Sequence, residues 1–231
     1  MGTGFNGKNG LKQSVKARLW STAVVPRMLY ALEVLPYSQA DLKALEAFQL
    51  ITLKQVQHLA DRTYNVAGLP LLGILHIRAQ LHKNTLNLYD ITIQTPGTVE
   101  YTVAERQLAM KLPTDHSFLY SIRRLLHTYN LPTAYQLFES PPSKEVWKAK
   151  LYSAVDQQTI ATWQEKIQEN PSLRYINTDA LSVEKTHHLY TYVRPNRIDI
   201  LRAETKAKLL TGTYTLQAKR AVFNQYAVNP T

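Results

Sequence analysis

The sequence predicts an all-α protein, a helical bundle with room for two helical subdomains. The chain has 231 residues, of which 45% are hydrophobic and 19% are charged, a balance typical of a folded chain that buries a core. Only 8 residues are glycine, whereas leucine and alanine, which favour helices, are abundant. Apolar residues recur at helical spacing, and strand-like alternation is confined to LYTYV at 189–193. These observations favour helices throughout the chain.

The first part of the chain is predicted to contain a linker and two helices. Residues 1–10 hold four of the glycines and are expected to form a flexible linker. A helix is predicted from about 11 to 23, with a break near Pro26. Ser38 is a favourable N-cap for a helix that extends to about 59. Its predicted apolar face comprises Leu42, Leu45, Phe48, Leu53, Val56 and Ala60, and its opposite face carries Lys43, Lys54, His58 and Arg62.

Further helices are predicted at about 74–95, 99–111, 116–128, 143–169 and 198–224, separated by pieces that contain proline or glycine. Ser143 is the expected N-cap of the helix that begins there. Pro141 and Pro142 mark a candidate boundary between a helical region at 11–140 and a C-terminal helical linker region at 141–231. The side chains predicted to be buried are Leu42, Leu45, Phe48, Val56, Leu125, Leu126 and Trp147, together with Trp20 and Trp163. Tyr30, Tyr89 and Tyr129 lie within apolar patterns and are expected at core or amphipathic-edge positions.

The composition of the chain limits which partners and which cellular locations are expected. A formal charge of +10 and a pI near 9.6 suit a polyanion, either nucleic acid or an anionic membrane surface. The apolar stretch LWSTAVVPRMLYALEVL is short and is interrupted by Pro26, Arg27 and Glu33, so no membrane span is predicted. Cysteine is absent and no secretory signal is present. The expected location is therefore nuclear or cytoplasmic rather than secreted.

The sequence shows no pattern that indicates catalysis, a metal site or a cofactor. It has no pair of adjacent aspartates and no group of close carboxylates of the kind that holds metal ions for nucleotidyl transfer. No glycine-rich phosphate loop is present. His187 and His188 are adjacent, so their side chains are expected to point in different directions. We therefore predict no catalytic residue, no metal ligand and no cofactor.

Three basic groups are candidates for binding nucleic acid. Lysine and arginine contact phosphates without reading bases, and such binding weakens with salt because counterions are released. The first 32 residues contain no acidic residue, and Lys12 and Lys16 have the spacing that places two side chains on one helix face. The alternative is that these side chains only solvate helix surfaces. The candidate contacts are Lys8, Lys12, Lys16 and Arg18, then Lys54, His58 and Arg62, and finally Arg202, Lys206, Lys208, Lys219 and Arg220.

Several stretches, in order, resemble one protein family. They are VVPRMLYALEVLP, LKALEAF and LKQVQHLADRT, followed by LLGILHIRAQLHKNTLNLYDI, RQLAMK, SIRRLLHTYNLP, PSKEVWK and KAKLLTGTYTLQAKRAVFNQ. Together they look like the region after the catalytic palm in reverse transcriptases of non-LTR (LINE-like) retrotransposons. The resemblance covers nearly the whole chain and implies a helical thumb followed by a linker region.

The resemblance also implies what this chain does not contain. In similar polypeptides the palm carries the catalytic carboxylates, and the C-terminal end leads into a zinc-knuckle-like segment. Neither motif occurs here, so the expected function is that of a noncatalytic thumb and linker fragment. It would bind a template–primer, an RNA–DNA or DNA duplex, through phosphate contacts, with a separate palm domain as a further partner. The alternative is a stand-alone helical protein-interaction scaffold derived from a retroelement, and the oligomeric state is left open.

Overall fold

The computed structural model describes residues 11–35, 37–109 and 117–214. These residues form an all-α bundle and include no β-strand, which confirms the predicted fold class. The strand-like alternation at 189–193 is misleading, because His188–Thr191 is a short helix. The α-helices are α1 Gln13–Leu19, α2 Val25–Met28, α3 Gln39–Val56, α4 Asn65–Leu72, α5 Ile77–Ile93, α6 Val99–Ala109, α7 Phe118–Thr128, α8 Ala134–Glu139, α9 Lys144–Gln168, α10 His188–Thr191 and α11 Arg197–Leu210.

The predicted break at Pro26 is replaced by a widened helical turn. A π-helix at Trp20–Val24 joins α1 to α2, and the N–H of Val25 donates to the carbonyl of Trp20, five residues earlier. Pro26 then lies in the first turn of α2, where a missing backbone N–H is tolerated. The wider turn lets the chain pass the proline while the Trp20 ring stays buried in the core.

Helix α3 begins as predicted and buries Leu42, Leu53 and Val56 of its predicted apolar face, but not the whole of that face. Ser38 and Asp41 form a capping box, which confirms the predicted start. Phe48 is 52% exposed and Leu45 is only half-buried, so the predicted burial of Phe48 is wrong. The helix instead buries Gln49, whose amide donates to the carbonyl of Leu75 and accepts from the N–H of Ile77. A buried polar residue thus rotates the packing face toward the start of α5.

Two long helices form the centre of the molecule. Helix α9 packs along α5, and Lys83 on α5 forms a buried ion pair with Asp156 on α9, at 2.9 Å. Trp147 and Trp163 are buried as predicted. Ser143 occupies the N-cap position of α9, although its side chain makes no capping hydrogen bond. A charge held by a close partner can be retained in the core, so this pair specifies how the helices pack.

Residues on both sides of the proposed boundary at Pro141 share one apolar core. The core runs from Ala17 to Ala207 and includes Leu125 and Leu126. Tyr89 is a core residue and Tyr129 is half-buried, as predicted for core or edge positions. Tyr30 is 84% exposed, so it is not a core residue. It lies just after α2, beside Ala31 with φ 64, where the chain leaves its helical path.

The segment before α10 is fastened to the end of α4 by backbone hydrogen bonds. The N–H of Glu184 donates to the carbonyl of Gly73, and the N–H of His187 donates to that of Leu71. Gly73 has φ 66, and a Cβ there would overlap the carbonyl of Lys185. Glycine is therefore required by both the turn and the close approach. This attachment positions α10 and α11 against the first half of the chain.

Helix α11 is shorter than predicted. It ends at Leu210, and Gly212 adopts φ 64 after it, in place of the helix expected to continue to about 224. Residues 215–224 lie outside the described part of the chain, as does the predicted linker at 1–10.

Candidate nucleic-acid interface

Three segments that carry the predicted basic residues meet at a buried set of polar side chains. Gln13 on α1 donates to Glu204 on α11 at 3.1 Å, and His58 just after α3 approaches the same carboxylate at 3.5 Å. Lys16 on α1 donates to the carbonyl of Val56 at the end of α3, at 3.4 Å. We call Gln13, Lys16, His58 and Glu204 the polar junction. It joins parts of the chain that are far apart in sequence.

Lys16 is buried within the framework and does not lie on the surface. It is 1% exposed, because the inward face of α1 consists of Gln13, Lys16 and Ala17. Burial lowers the pKa of Lys16, and the carboxylate of Glu204 partly opposes that effect. The predicted surface pair of Lys12 and Lys16 is therefore wrong. Lys12 is half-buried at the N-cap position of α1, and Arg18 is exposed.

Lys54 also has a structural role. It is 7% exposed, and its Nζ donates to the carbonyl of Asp61 at 2.8 Å. Burial lowers its pKa, with Asp61 opposing. The amphipathic pattern of α3 placed Lys54 on the outer face, but the turn after α3 folds back over it. That turn covers the lysine, so its predicted position on the exposed face of α3 is wrong.

His58 ends α3 in a conformation that a helix cannot continue. Its φ is 52, in the left-handed region. Burial is the main cause that lowers the pKa of His58, and Glu204 opposes it while Lys16 and Lys208 add to it. The imidazole is a polar neighbour of the Glu204 carboxylate.

The remaining predicted cations lie on the surface of the same segments. On α11 the residues Ile200, Ala203, Glu204 and Ala207 face inward, which leaves Arg202 and Lys206 on the outer face. Arg202 approaches Asp199 at 3.5 Å, a weak exposed pair. Lys208 is half-buried and near enough to His58 to lower its pKa. Arg62 is exposed four residues after His58. Lys8, Lys219 and Arg220 fall outside the described residues.

The sequence reasoning missed the polar residues that hold this arrangement. Tyr190 on α10 is fully buried and donates to Gln57 at 3.3 Å, and Gln57 donates to the carbonyls of Leu53 and Gly68. The burial of Glu204 could have been predicted, because this residue lies on the apolar face of α11, four residues after Ile200 and one after Ala203. Gln57 and Tyr190 offer no such signal.

A second polar group lines a cleft of about 590 Å³ between α3, α4, α5 and α9. Arg78 donates to Glu46 at 2.7 Å, and His76 approaches the same carboxylate at 3.7 Å. His82 contacts the hydroxyl of Tyr129 at 2.8 Å. Burial lowers the pKa of His82 to about 4 and raises that of Tyr129 to about 12. Burial also lowers the pKa of His76, with Glu46 opposing.

The adjacent histidines do not point apart as predicted. The ring centroids of His187 and His188 are 4.0 Å apart. His187 accepts from the N–H of Leu189 through Nδ1, and burial, with a smaller contribution from His188, lowers its pKa to about 4. No group of three or more histidine, aspartate or glutamate side chains in the described ranges is arranged to hold a metal ion.

The fold and the junction together define an all-α protein in which basic segments from both halves of the chain converge. Within residues 11–35, 37–109 and 117–214, no helix has the length and apolar character needed to cross a bilayer. Comparisons of the chain with family models, curated proteins and solved structures give no match.

Proposed function

We propose that this chain is a noncatalytic nucleic-acid-binding module that corresponds to the thumb and linker region of a non-LTR retrotransposon reverse transcriptase. It would hold an RNA–DNA or DNA duplex by its phosphates. The observation that supports this proposal is the convergence of α1, the end of α3 and α11 at the polar junction. Cations that are distant in sequence are thereby held on one framework.

The proposed phosphate contacts differ from those that the sequence alone predicts. Arg18, Arg202 and Lys206 are exposed and lie on helices that the junction fixes relative to each other. Lys16 and Lys54 are buried and hold that framework. A fixed set of surface cations neutralises phosphates without reading base edges. Duplex binding should therefore depend steeply on salt and little on sequence.

The test is fluorescence anisotropy with labelled RNA–DNA and DNA duplexes at several salt concentrations. Changing Arg18, Arg202 and Lys206 together to Glu removes three cations. Each phosphate contact contributes about −0.9 to the slope of log K against log salt on B-form DNA, so the slope should flatten by about three. Affinity for all duplexes should fall about equally. Because no carboxylate pair is present, the chain alone should incorporate no nucleotide on a primed template.

A charge-matched control separates local contact from net charge. Lys144, Lys148 and Lys150 are exposed near the start of α9, whose 25 residues extend for about 37 Å. Their replacement by Glu makes the same change in net charge at a different place. Equal loss of affinity in both triple variants would contradict the proposal, because it would show a response to overall charge only.

A second candidate function, a helical protein-interaction scaffold derived from a retroelement, is favoured by an apolar surface on α3. Phe48 and Ile51 are 52% and 55% exposed and lie three residues apart on one face. If the chain is a protein-interaction scaffold, Ile51→Lys should abolish binding of a protein partner and leave duplex affinity unchanged. If the chain is a nucleic-acid-binding module, the unmodified chain should bind duplex without any such partner.

A further inference from the structure

The cleft between α3, α4, α5 and α9 has the size of a small-molecule site. Its volume of about 590 Å³ lies within the range of roughly 300–1,000 Å³ that ligand sites occupy. It is separate from the outer faces of α1 and α11, which carry the proposed duplex contacts. The lining includes the cationic side chains of Arg78 and Lys166 and the apolar side chains of Leu50 and Leu69.

The charges in the cleft favour an anion of low charge. Arg78 and Lys166 are cationic, and Glu46 is the carboxylate among the lining residues. Two positive charges and one negative charge leave a net charge of +1 on the lining. Arg78 pairs with Glu46 at 2.7 Å, and Lys166 on α9 is near enough to His76 to lower its pKa. This balance suits a single phosphate group better than a triphosphate.

The two histidines in the cleft add hydrogen-bonding groups without adding charge. Tyr129 keeps its proton and can donate to Nδ1 of His82, which makes Nε2 the protonated nitrogen of that ring. His76 approaches Glu46 through its own Nδ1. Neutral imidazoles of this kind orient a polar ligand, while Arg78 and Lys166 supply the attraction.

Half-buried apolar residues also line the cleft. Leu50 on α3, Val66 on α4 and Ala79 on α5 keep part of their surface open to it, and we call these three residues the apolar wall. A ligand that carries only a phosphate group would leave this wall in contact with water. A ligand that joins an aromatic ring to the phosphate would bury it, and the burial adds favourable free energy.

We propose that this cleft binds a nucleoside monophosphate group, with the phosphate at Arg78 and Lys166 and the base against Leu50, Val66 and Ala79. The inference goes beyond the proposed duplex binding and does not depend on it. The same chemistry occurs in a free nucleotide and in the 5′-phosphorylated end of a strand, and the experiment below distinguishes these two sources.

Isothermal titration calorimetry with adenosine monophosphate and with inorganic phosphate tests the proposal. The nucleotide should bind more tightly than phosphate, because only the nucleotide covers the apolar wall. Lys166→Gln should weaken nucleotide binding about tenfold, the loss expected for one hydrogen bond to a charged group. Lys148→Gln, an exposed change on the same helix, should leave nucleotide affinity unchanged.

A filled-cleft variant and an oligonucleotide competitor complete the test. Ala79→Phe should block nucleotide binding by occupying the space beside Leu69. If Ala79→Phe does not fold, the nucleotide affinity of Lys166→Gln still tests the proposal. Competition by a 5′-phosphorylated oligonucleotide, but not by its unphosphorylated form, would identify a strand end as the source. Lack of competition, with the nucleotide still bound, would identify a free nucleotide.

Three results would overturn the proposal. They are no nucleotide binding by folded protein at millimolar concentration, equal affinity for phosphate and nucleotide, and an unchanged affinity in Lys166→Gln. The triple variant of Arg18, Arg202 and Lys206 should bind the nucleotide normally. Failure of this inference is therefore distinguishable from failure of the proposed duplex binding.

Discussion

At the scale of single residues, burial decides what a lysine does. Lys16 and Lys83 are both almost fully buried, and each has an acidic residue nearby. Lys83 meets Asp156 directly, and its Nζ also lies 4.2 Å from the centroid of the Tyr152 ring. Lys16 is neighboured by Glu204 but donates to a backbone carbonyl. A buried ammonium group is costly to leave unpaired, so both side chains restrict how their helices pack.

Replacement of Lys16 distinguishes a framework residue from a phosphate contact. Lys16→Glu places a second carboxylate beside Glu204, and we expect it to cost about 3 kcal/mol of unfolding free energy. Lys16→Met keeps the volume and removes the buried charge, so it should cost no more than about 1.5 kcal/mol. Chemical denaturation measures both values.

The same variants also report on duplex affinity. Lys16→Met should leave the salt slope of duplex binding unchanged, because the buried lysine touches no phosphate. A flattening of that slope by about one would show instead that Lys16 reaches the nucleic acid.

At the scale of elements, helix ends determine whether a helix can bring its residues to the junction. Asn196 caps α11: its side-chain oxygen accepts from the N–H of Asp199 at 2.8 Å, and its amide donates to that carboxylate at 2.9 Å. Two turns further on, α11 supplies Glu204 to the junction. Fraying at the cap would therefore loosen the contacts of Glu204 with Gln13 and His58.

Removal of this cap should affect both stability and binding. We expect Asn196→Ala to lower the unfolding free energy by about 1 kcal/mol. Duplex affinity should fall as well, because Arg202 and Lys206 lie on the same helix. Asn177→Ala is the matched control, since Asn177 caps only the three-residue 3₁₀ turn Thr178–Ala180. Equal loss of duplex affinity in the two variants would contradict this role for α11.

At the scale of the whole molecule, the two predicted regions are joined by shared packing. Helix α9 packs against α4 and α5, and α11 reaches the junction with α1 and the end of α3. Gln13 and Glu204 meet although 191 positions separate them. A division at Pro141 would therefore expose apolar surface on both sides.

The shared core predicts a single cooperative unfolding transition. Thermal unfolding followed by far-ultraviolet circular dichroism and by tryptophan fluorescence should give coincident curves, because Trp20, Trp147 and Trp163 report on both regions. A fragment that ends at 140 should fail to unfold cooperatively. Two separate transitions, or a stable fragment, would favour the two-subdomain architecture that the sequence allows.

Local features were predictable from the sequence, because they depend on neighbouring residues. The capping box of Ser38, the length of α9 and the burial of Trp147 follow from side chains a few positions apart. The end of α11 was not predicted, because the apolar pattern continues past Leu210 and the turn occurs at Gly212. The burial of Phe48 was wrong for another reason, since α3 packs through Gln49.

By itself the sequence determined the helical class, most helix positions and the basic character of the chain. Only the tertiary structure decided which cations stay on the surface, because Lys16 is covered where α1 meets the end of α3 and Lys54 is covered by the turn after α3. It also created the junction at Glu204 and the cleft at Arg78, which join residues on different helices. Helix formation follows from contacts within a few residues, whereas the environment of a charge is set by whatever the folded chain places beside it.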